Sequence, residues 1–269
     1  MEFNDDTLEK FAATGAPPLP DADVQDEFEH DGARLWHASF GSGPAVLLLH
    51  GGLGHSGNWG HQIPALLAAG YRVVSLDTRG HGRSTRDARP FSYELLASDA
   101  HAVLDRLGIA RAALVGWSDG ACTSLVLARQ TPACVAGVFY FACNMDPTGV
   151  KEFAPTPTID RCLSRHRADY AQLSESPEDF PALLDALGAM QRTQPNYGTR
   201  ELAEIRVPVT IAHAEHDEFI RREHAEHLAR AIVGAKLALL PGVSHFAPLQ
   251  RPAAFNAAVL SFLAALPRK

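Results

Sequence analysis

Residues 114–120, Leu-Val-Gly-Trp-Ser-Asp-Gly, constrain the fold of this chain more than any other stretch. An apolar run, Ala112 to Val115, breaks into Gly116-Trp117-Ser118-Asp119-Gly120 and passes into a helical pattern from Ala121 to Arg129. Gly-x-Ser-x-Gly between a strand and a helix is a sharp turn that lifts the serine hydroxyl clear of a sheet. The serine backbone is strained there and the two elements approach closely, so the flanking positions must be small; Gly116 and Gly120 meet that need. A glycine-rich turn by itself would carry little information. The strand before it and the helix after it give it meaning.

The same alternation runs through most of the chain. Val24 to Glu29 and Leu35 to Phe40 read as a hairpin around Asp31-Gly32, and Ala45 to Leu49 is an apolar run ending in His50-Gly51-Gly52. Trp59 to Ala69 is helical and closed by Gly70, Tyr71 to Leu76 is a strand ending at Asp77, and Tyr93 to Leu107 is helical. After the serine segment come strands at Val135 to Phe141, Val207 to Ala212 and Lys236 to Leu240, with helices at Glu223 to Val233 and Ala253 to Leu266. Continuous apolar strands separated by helices imply a parallel sheet covered on both faces. Residues 147–204 break the rhythm. They hold helical patches, Ile159 to Leu173 and Phe180 to Gln191, between proline-bearing turns, and read as a helical cap inserted over the sheet's C-terminal edge. The expected organisation is a core of 22–146 and 205–269, a cap of 147–204 and an N-terminal extension of 1–21.

Composition excludes several classes. With 269 residues, 46% of them hydrophobic and none in a run approaching a membrane span, the chain suits a globular domain of the larger kind. The formal net charge of −7 and the absence of a dense Lys/Arg stretch make nucleic acid and anionic membranes poor partners. Met1 to Pro20 is acidic and proline-bearing, without a basic region followed by an apolar core, so no secretory signal is expected. Cys122, Cys134, Cys143 and Cys162 form no C-x-x-C and read as reduced thiols of a cytoplasmic protein, Cys122 as a small packing residue.

An unaided serine hydroxyl is a weak nucleophile and needs a base and a group to orient it. In a hydrolase with this turn the order along the chain is Ser, then Asp or Glu, then His, each after a later strand. Lys236 to Leu240 runs into Pro241-Gly242-Val243-Ser244-His245, which makes His245 the expected base. Val207 to Ala212 runs into His213-Ala214-Glu215-His216-Asp217-Glu218, where three acids compete; Asp217 is best placed in a strand-end turn. With 13 histidines in the chain, one near a strand end is unremarkable alone, and the ordered set of three carries the weight. The oxyanion donors are expected to be the N–H groups of Gly52, in the loop after Leu49, and of Asp119. Leu53 and Trp117, beside those donors and the serine, are the expected substrate contacts.

LHGGLGHSGNW (49–59), LDTRGHGRST (76–85), VGWSDGA (115–121), AHAEHDEFI (212–220) and LPGVSHFAPLQRP (240–252) together resemble the α/β-hydrolase superfamily. The resemblance implies a mostly parallel eight-stranded sheet, carboxylesterase-like chemistry on a small-molecule ester, and Asp217 and His245 as partners of Ser118. The turn GWSDG is also similar to that of amino-acid ester hydrolases of the valacyclovirase type, in which the acid after the serine receives the substrate's amino group. Asp119 is otherwise a first-turn residue at the positive end of a helix dipole.

Three other readings compete. Gly52-x-Gly54-x-x-Gly57 follows an apolar strand, and Asp77 stands twenty residues after Gly57, as in a dinucleotide-binding oxidoreductase. That pattern leaves Ser118, Asp217 and His245 unexplained. Carbon–carbon bond hydrolases, lactonases and perhydrolases share the serine triad, whereas the aspartate-nucleophile dehalogenases and epoxide hydrolases do not fit Ser118. The His213, Glu215, His216, Asp217, Glu218 cluster matches no metal-ligand spacing, so neither metal nor organic cofactor is expected.

Overall fold

A computed structural model describes residues 6–267. It contains an eight-stranded sheet in the order β1-β2-β4-β3-β5-β6-β7-β8. The strands are β1 (Val24–His30), β2 (Ala33–Phe40), β3 (Ala45–Leu49), β4 (Arg72–Leu76), β5 (Ala112–Trp117), β6 (Val135–Phe141), β7 (Val209–His216) and β8 (Lys236–Ser244). Pairings β1–β2 and β2–β4 are antiparallel, and all the others are parallel. The β1–β2 hairpin turns on Asp31 (φ 43°) and Gly32 (φ 80°), the two positive φ values that a two-residue primed turn requires.

The central strands are apolar on both faces, and their period of two sorts them into two cores. Leu47, Leu49, Val74, Leu76 and Leu114 face the helices α3 (Tyr93–Arg106), α4 (Asp119–Gln130) and α8 (Arg222–Ala231). Val46, Leu48, Val73 and Val115 face α2 (Gln62–Ala68) and α10 (Pro252–Ala264), with Phe255 against Phe139 and Phe141. The sheet is therefore covered on both sides, and the C-terminal ends of its parallel strands open onto one edge. That edge receives β3's His50–Gly54 loop, the β5–α4 turn and the loops after β7 and β8.

Residues 147–204 contain no strand. They form α5 (Pro157–Leu173), α6 (Phe180–Thr193) and the short α7 (Thr199–Ala203). An element that sequence reasoning left as an extension is helix α1 (Asp6–Thr14), which buries Leu8 and Phe11 and packs on α5 and on α9 (Ala247–Gln250). Met1 to Asn4 and Asp5 lie outside the described residues. The helix expected over Trp59 to Ala69 is split. Ser56–Trp59 is a separate 3₁₀ turn, closed by the His55 side chain accepting from Gly57 N–H and the Asn58 side chain accepting from His55 N–H, and α2 starts only at Gln62. β8 runs four residues beyond the expected Leu240, through Ser244, which carries the chain to His245.

Candidate active site

At the turn from β5 to α4, Ser118 adopts φ 54° and ψ −124°, a left-handed conformation in a residue with a side chain. Such strain persists only where the surroundings fix it. Here Ser118 N–H donates to Phe141 O at 2.9 Å, and Ser118 O accepts from Ala121 N–H at 2.7 Å, closing the first turn of α4. A Cβ on Gly116 would collide with the Gly120 carbonyl, and one on Gly120 with the Leu49 carbonyl, so both positions are restricted to glycine by close backbone approach. The hydroxyl of Ser118 stands at the positive end of the twelve-residue α4.

The loop after β3 runs against this turn: a Cβ on Gly51 would lie 3.1 Å from Ser118 Cβ. His50 fixes the loop, its Nδ1 bonding Gly51 O at 2.8 Å and its Nε2 accepting Thr78 N–H at 3.1 Å. Burial pushes the His50 pKa down to about 4, so the ring is neutral and serves as a brace. Leu53 takes φ 63° and is half-buried against the core. A Cβ on Gly52 would stand 2.6 Å from Asp119 Oδ2 and 3.1 Å from Gln191 Nε2, which places Gly52 beside the residue that follows the serine.

The Asp119 side chain is turned away from a simple helix-capping role. Tyr93 Oη donates to its Oδ1 at 2.7 Å, and Gln191 Nε2, from α6, donates to its Oδ2 at 2.8 Å. Burial raises the Asp119 pKa above the usual carboxylate value, against the lowering effect of these two donors and of His245. Neither Tyr93 nor Gln191 carries a sequence signal for this contact, since it depends on how α3 and α6 meet over the sheet edge.

The two expected partners of Ser118, His245 and Asp217, meet each other just past the ends of β8 and β7. His245 Nδ1 lies 3.2 Å from both carboxylate oxygens of Asp217, and both side chains are buried. Asp217 Oδ1 also accepts the N–H groups of Phe219 and Ile220, each at 2.9 Å. Burial would raise the Asp217 pKa, but the His245 charge and these donors hold it below the ordinary carboxylate value. Burial works to lower His245, and Asp217, Glu218 and Asp119 outweigh it, leaving the imidazole above the usual histidine value. Among the described residues no hydrogen bond joins Ser118 Oγ to the ring; such bonds are often long without substrate and tighten when it binds. The residues on both sides of Ser118 do reach His245: Trp117 packs its ring against the imidazole, and Asp119 acts on it electrostatically.

One expectation, Trp117 as a substrate contact, needs revision, and one rival reading, Asp77 as a ribose-binding acid, loses its support. Trp117 is 2% exposed and donates Nε1–H to His245 O at 2.8 Å, with its ring between Trp59 and Phe246. It lies beneath the site as a support for the histidine, because β5 is buried on both faces and leaves its last side chain no route to a pocket. Asp77, the ribose-binding candidate, is fully enclosed. Its Oδ1 accepts Ser56 N–H at 2.7 Å, and its Oδ2 accepts Arg83 N–H and Nη1–H, each at 2.9 Å. It organises the glycine loop from within and offers no oxygen to a nucleotide. Among the described residues, no group of three or more His, Cys, Asp or Glu side chains has an arrangement that could hold a metal ion. No helix among them is long and apolar enough to cross a membrane.

Residues 46–258 match the alpha/beta hydrolase family, and the chain belongs to that family. Serine hydrolase BPHL of Mus musculus is 28% identical over 247 residues, covering 87% of this chain and 84% of that protein. The 2-hydroxy-6-oxononadienedioate/2-hydroxy-6-oxononatrienedioate hydrolase 2 of Pseudomonas putida is 28% identical over 264 residues, covering 86% and 91%. Among solved structures, the enol-lactonase from Burkholderia xenovorans LB400 has a TM-score of 0.70 at 25% identity, covering 89% of this chain and 100% of that one. By this kinship the protein is a hydrolase.

Proposed function

We propose that this member of the alpha/beta hydrolase family is a serine hydrolase that cleaves an ester or related acyl bond of a small molecule through an acyl-enzyme. The observation that carries the reading is the buried His245–Asp217 pair, with the imidazole packed on Trp117, the residue before a serine held at φ 54°. Neutral His245 takes the Ser118 proton as Oγ attacks the substrate carbonyl carbon. The tetrahedral oxyanion is met by the N–H groups of Asp119 and Gly52, donors worth a few kcal/mol each when aimed at developing charge. The imidazolium, stabilised by ionised Asp217, then gives its proton to the leaving oxygen as the carbon–oxygen bond breaks. Water, deprotonated by the same imidazole, releases the acid and restores Ser118. Leu53 is the proposed substrate contact on the glycine loop.

Carbon–carbon bond or lactone cleavage is the second reading, supported by the similarity to the Pseudomonas putida hydrolase and to the enol-lactonase. Hydrolysis of p-nitrophenyl esters of graded chain length, amino-acid esters, lactones and a vinylogous diketone separates these substrate classes. Ser118→Ala should lower kcat on the best substrate by about 10⁴-fold to 10⁶-fold and abolish labelling by a fluorophosphonate, with the fold intact by circular dichroism. Full activity in that variant refutes the proposal.

A further inference from the structure

Glu215 near the end of β7 and Asp217 and Glu218 just after it grip the end of β8 and His245, the residue that follows, at three different points. Glu215 Oε2 accepts Gly242 N–H at 2.7 Å, Asp217 holds the imidazole, and Glu218 Oε2 accepts the backbone N–H of His245 at 2.9 Å. The last bond has a local cause. β7–β8 pairing ends at His216 and Ser244, after a register shift between Ala214 and His216, so His245 is the first residue past the ladder. Its N–H lies at a buried position with no strand partner, and a buried N–H left unpaired is costly. A carboxylate is the strongest acceptor a side chain can bring to it. On the opposite side of the same residue, Trp117 Nε1–H donates to the His245 carbonyl.

We infer that Glu218 is a positioning residue for the hydrolytic reaction: it fixes the peptide of His245 from one side while Trp117 fixes it from the other, so that Asp217 has only the ring left to orient. This rests on the proposed role of His245 as the base. A histidine tied only through its ring could still swing with its backbone, and misplacement by an ångström is costly to catalysis. Glu218 also adds negative charge close to the imidazole. The groups facing that ring are Asp217 and Glu218 from the end of β7, His213 from within β7, and Asp119 from α4. Glu218 itself faces Asp217, His245 and Cys162 of α5.

The test compares Glu218→Ala, Glu218→Gln and Ser118→Ala with the wild type, using kcat and KM for a p-nitrophenyl ester between pH 5 and 9. Glu218→Ala should lose about tenfold to a hundredfold in kcat with KM little changed. Glu218→Gln keeps an acceptor oxygen for the His245 N–H and should recover most of the plateau rate. Its acid limb should move to lower pH, because a charge that favoured the imidazolium has gone. A purely structural glutamate would leave that limb in place. Wild-type rates in Glu218→Ala, or an unmoved limb in Glu218→Gln, would overturn the inference while an inactive Ser118→Ala left the serine mechanism standing. If Glu218→Ala does not fold, the limb of Glu218→Gln decides alone. Full activity in Ser118→Ala would instead mean that the reading of the site itself had failed.

Discussion

Asp217→Asn tests the His245–Asp217 pair most directly, because the structure dictates how the amide must lie. In the wild type, Oδ1 accepts two backbone N–H groups, from Phe219 and Ile220, while the imidazole Nδ1 sits 3.2 Å from both oxygens. Asparagine has one oxygen, and that oxygen belongs with the two backbone donors. Its NH₂ then faces His245 Nδ1, which must offer a lone pair, so the ring proton moves to Nε2 and the ring can no longer accept from Ser118. Flipping the amide restores the useful tautomer but leaves two buried N–H groups against an NH₂. At about 1–3 kcal/mol for each orphaned donor, the competent arrangement is disfavoured by about 2–6 kcal/mol, or roughly 30-fold to 10⁴-fold in kcat. The assay is steady-state hydrolysis of a p-nitrophenyl ester across pH 5 to 9, with burst kinetics to establish that acylation limits the rate. Since His245 is held above the usual histidine value of about 6.5, the wild-type acid limb should have its midpoint above that pH. In Asp217→Asn the carboxylate is gone and burial remains, so the midpoint should fall. A variant within about threefold of the wild-type kcat, with its limb unmoved, would refute the assignment of Asp217.

Asp119→Asn keeps an acceptor for Tyr93 and leaves the backbone donor in place, so neutral esters should react as fast or faster. Esters with a free α-amino group should lose about tenfold or more in kcat/KM if the carboxylate pairs with an ammonium, and equal effects on both ester types would remove that role. Gly120→Ala drives a methyl into the Leu49 carbonyl and should cost about 1–3 kcal/mol, read by calorimetry as a Tm about 2–12 °C lower; an unchanged Tm would show that the β3 end can move aside. Phe255→Ala removes a fully buried ring packed on Trp59, Phe139 and Phe141, and should cost about 3–5 kcal/mol in urea unfolding with kcat little affected.

The Ser118 turn was legible because its chemistry is local: Gly116 and Gly120 are forced by backbone contacts only a few residues away in sequence or across one strand. The positions of the central strands and of the helices between them were legible because each strand is a continuous apolar run bounded by turn residues; the strand order, which no local run encodes, was not. Trp117 was misread because a residue between a glycine and a serine gives no hint of which way β5 sends its last side chain. The acids near β7 could be narrowed but not given separate tasks, since Glu215, Asp217 and Glu218 differ in role only through where the β8 loop passes them. Tyr93 and Gln191 were invisible because they reach Asp119 from α3 and α6, which sequence spacing cannot dock. The α1 helix escaped because it presents two large apolar residues, Leu8 and Phe11, too few to set a period.

That last helix has a consequence for the order in which the chain is built. Nine residues form at most a marginal helix alone in water, so α1 depends on its landing site. Phe11 lies edge-on to His166 of α5, Glu9 pairs with Arg161 of α5, and α1 also packs on α9, Ala247–Gln250. None of that surface exists when α1 leaves the ribosome. At about 5–20 residues per second, more than 200 further residues take on the order of 10–50 s to appear. The α5 part of the landing site appears partway through that interval and the α9 part only at its end, so until then Leu8 and Phe11 forgo part of the about 1.5–3 kcal/mol that burial is worth to each. Helix α1 thus completes its packing late, and a nascent chain paused before residue 247 offers a factor that binds short apolar segments a target the finished protein conceals.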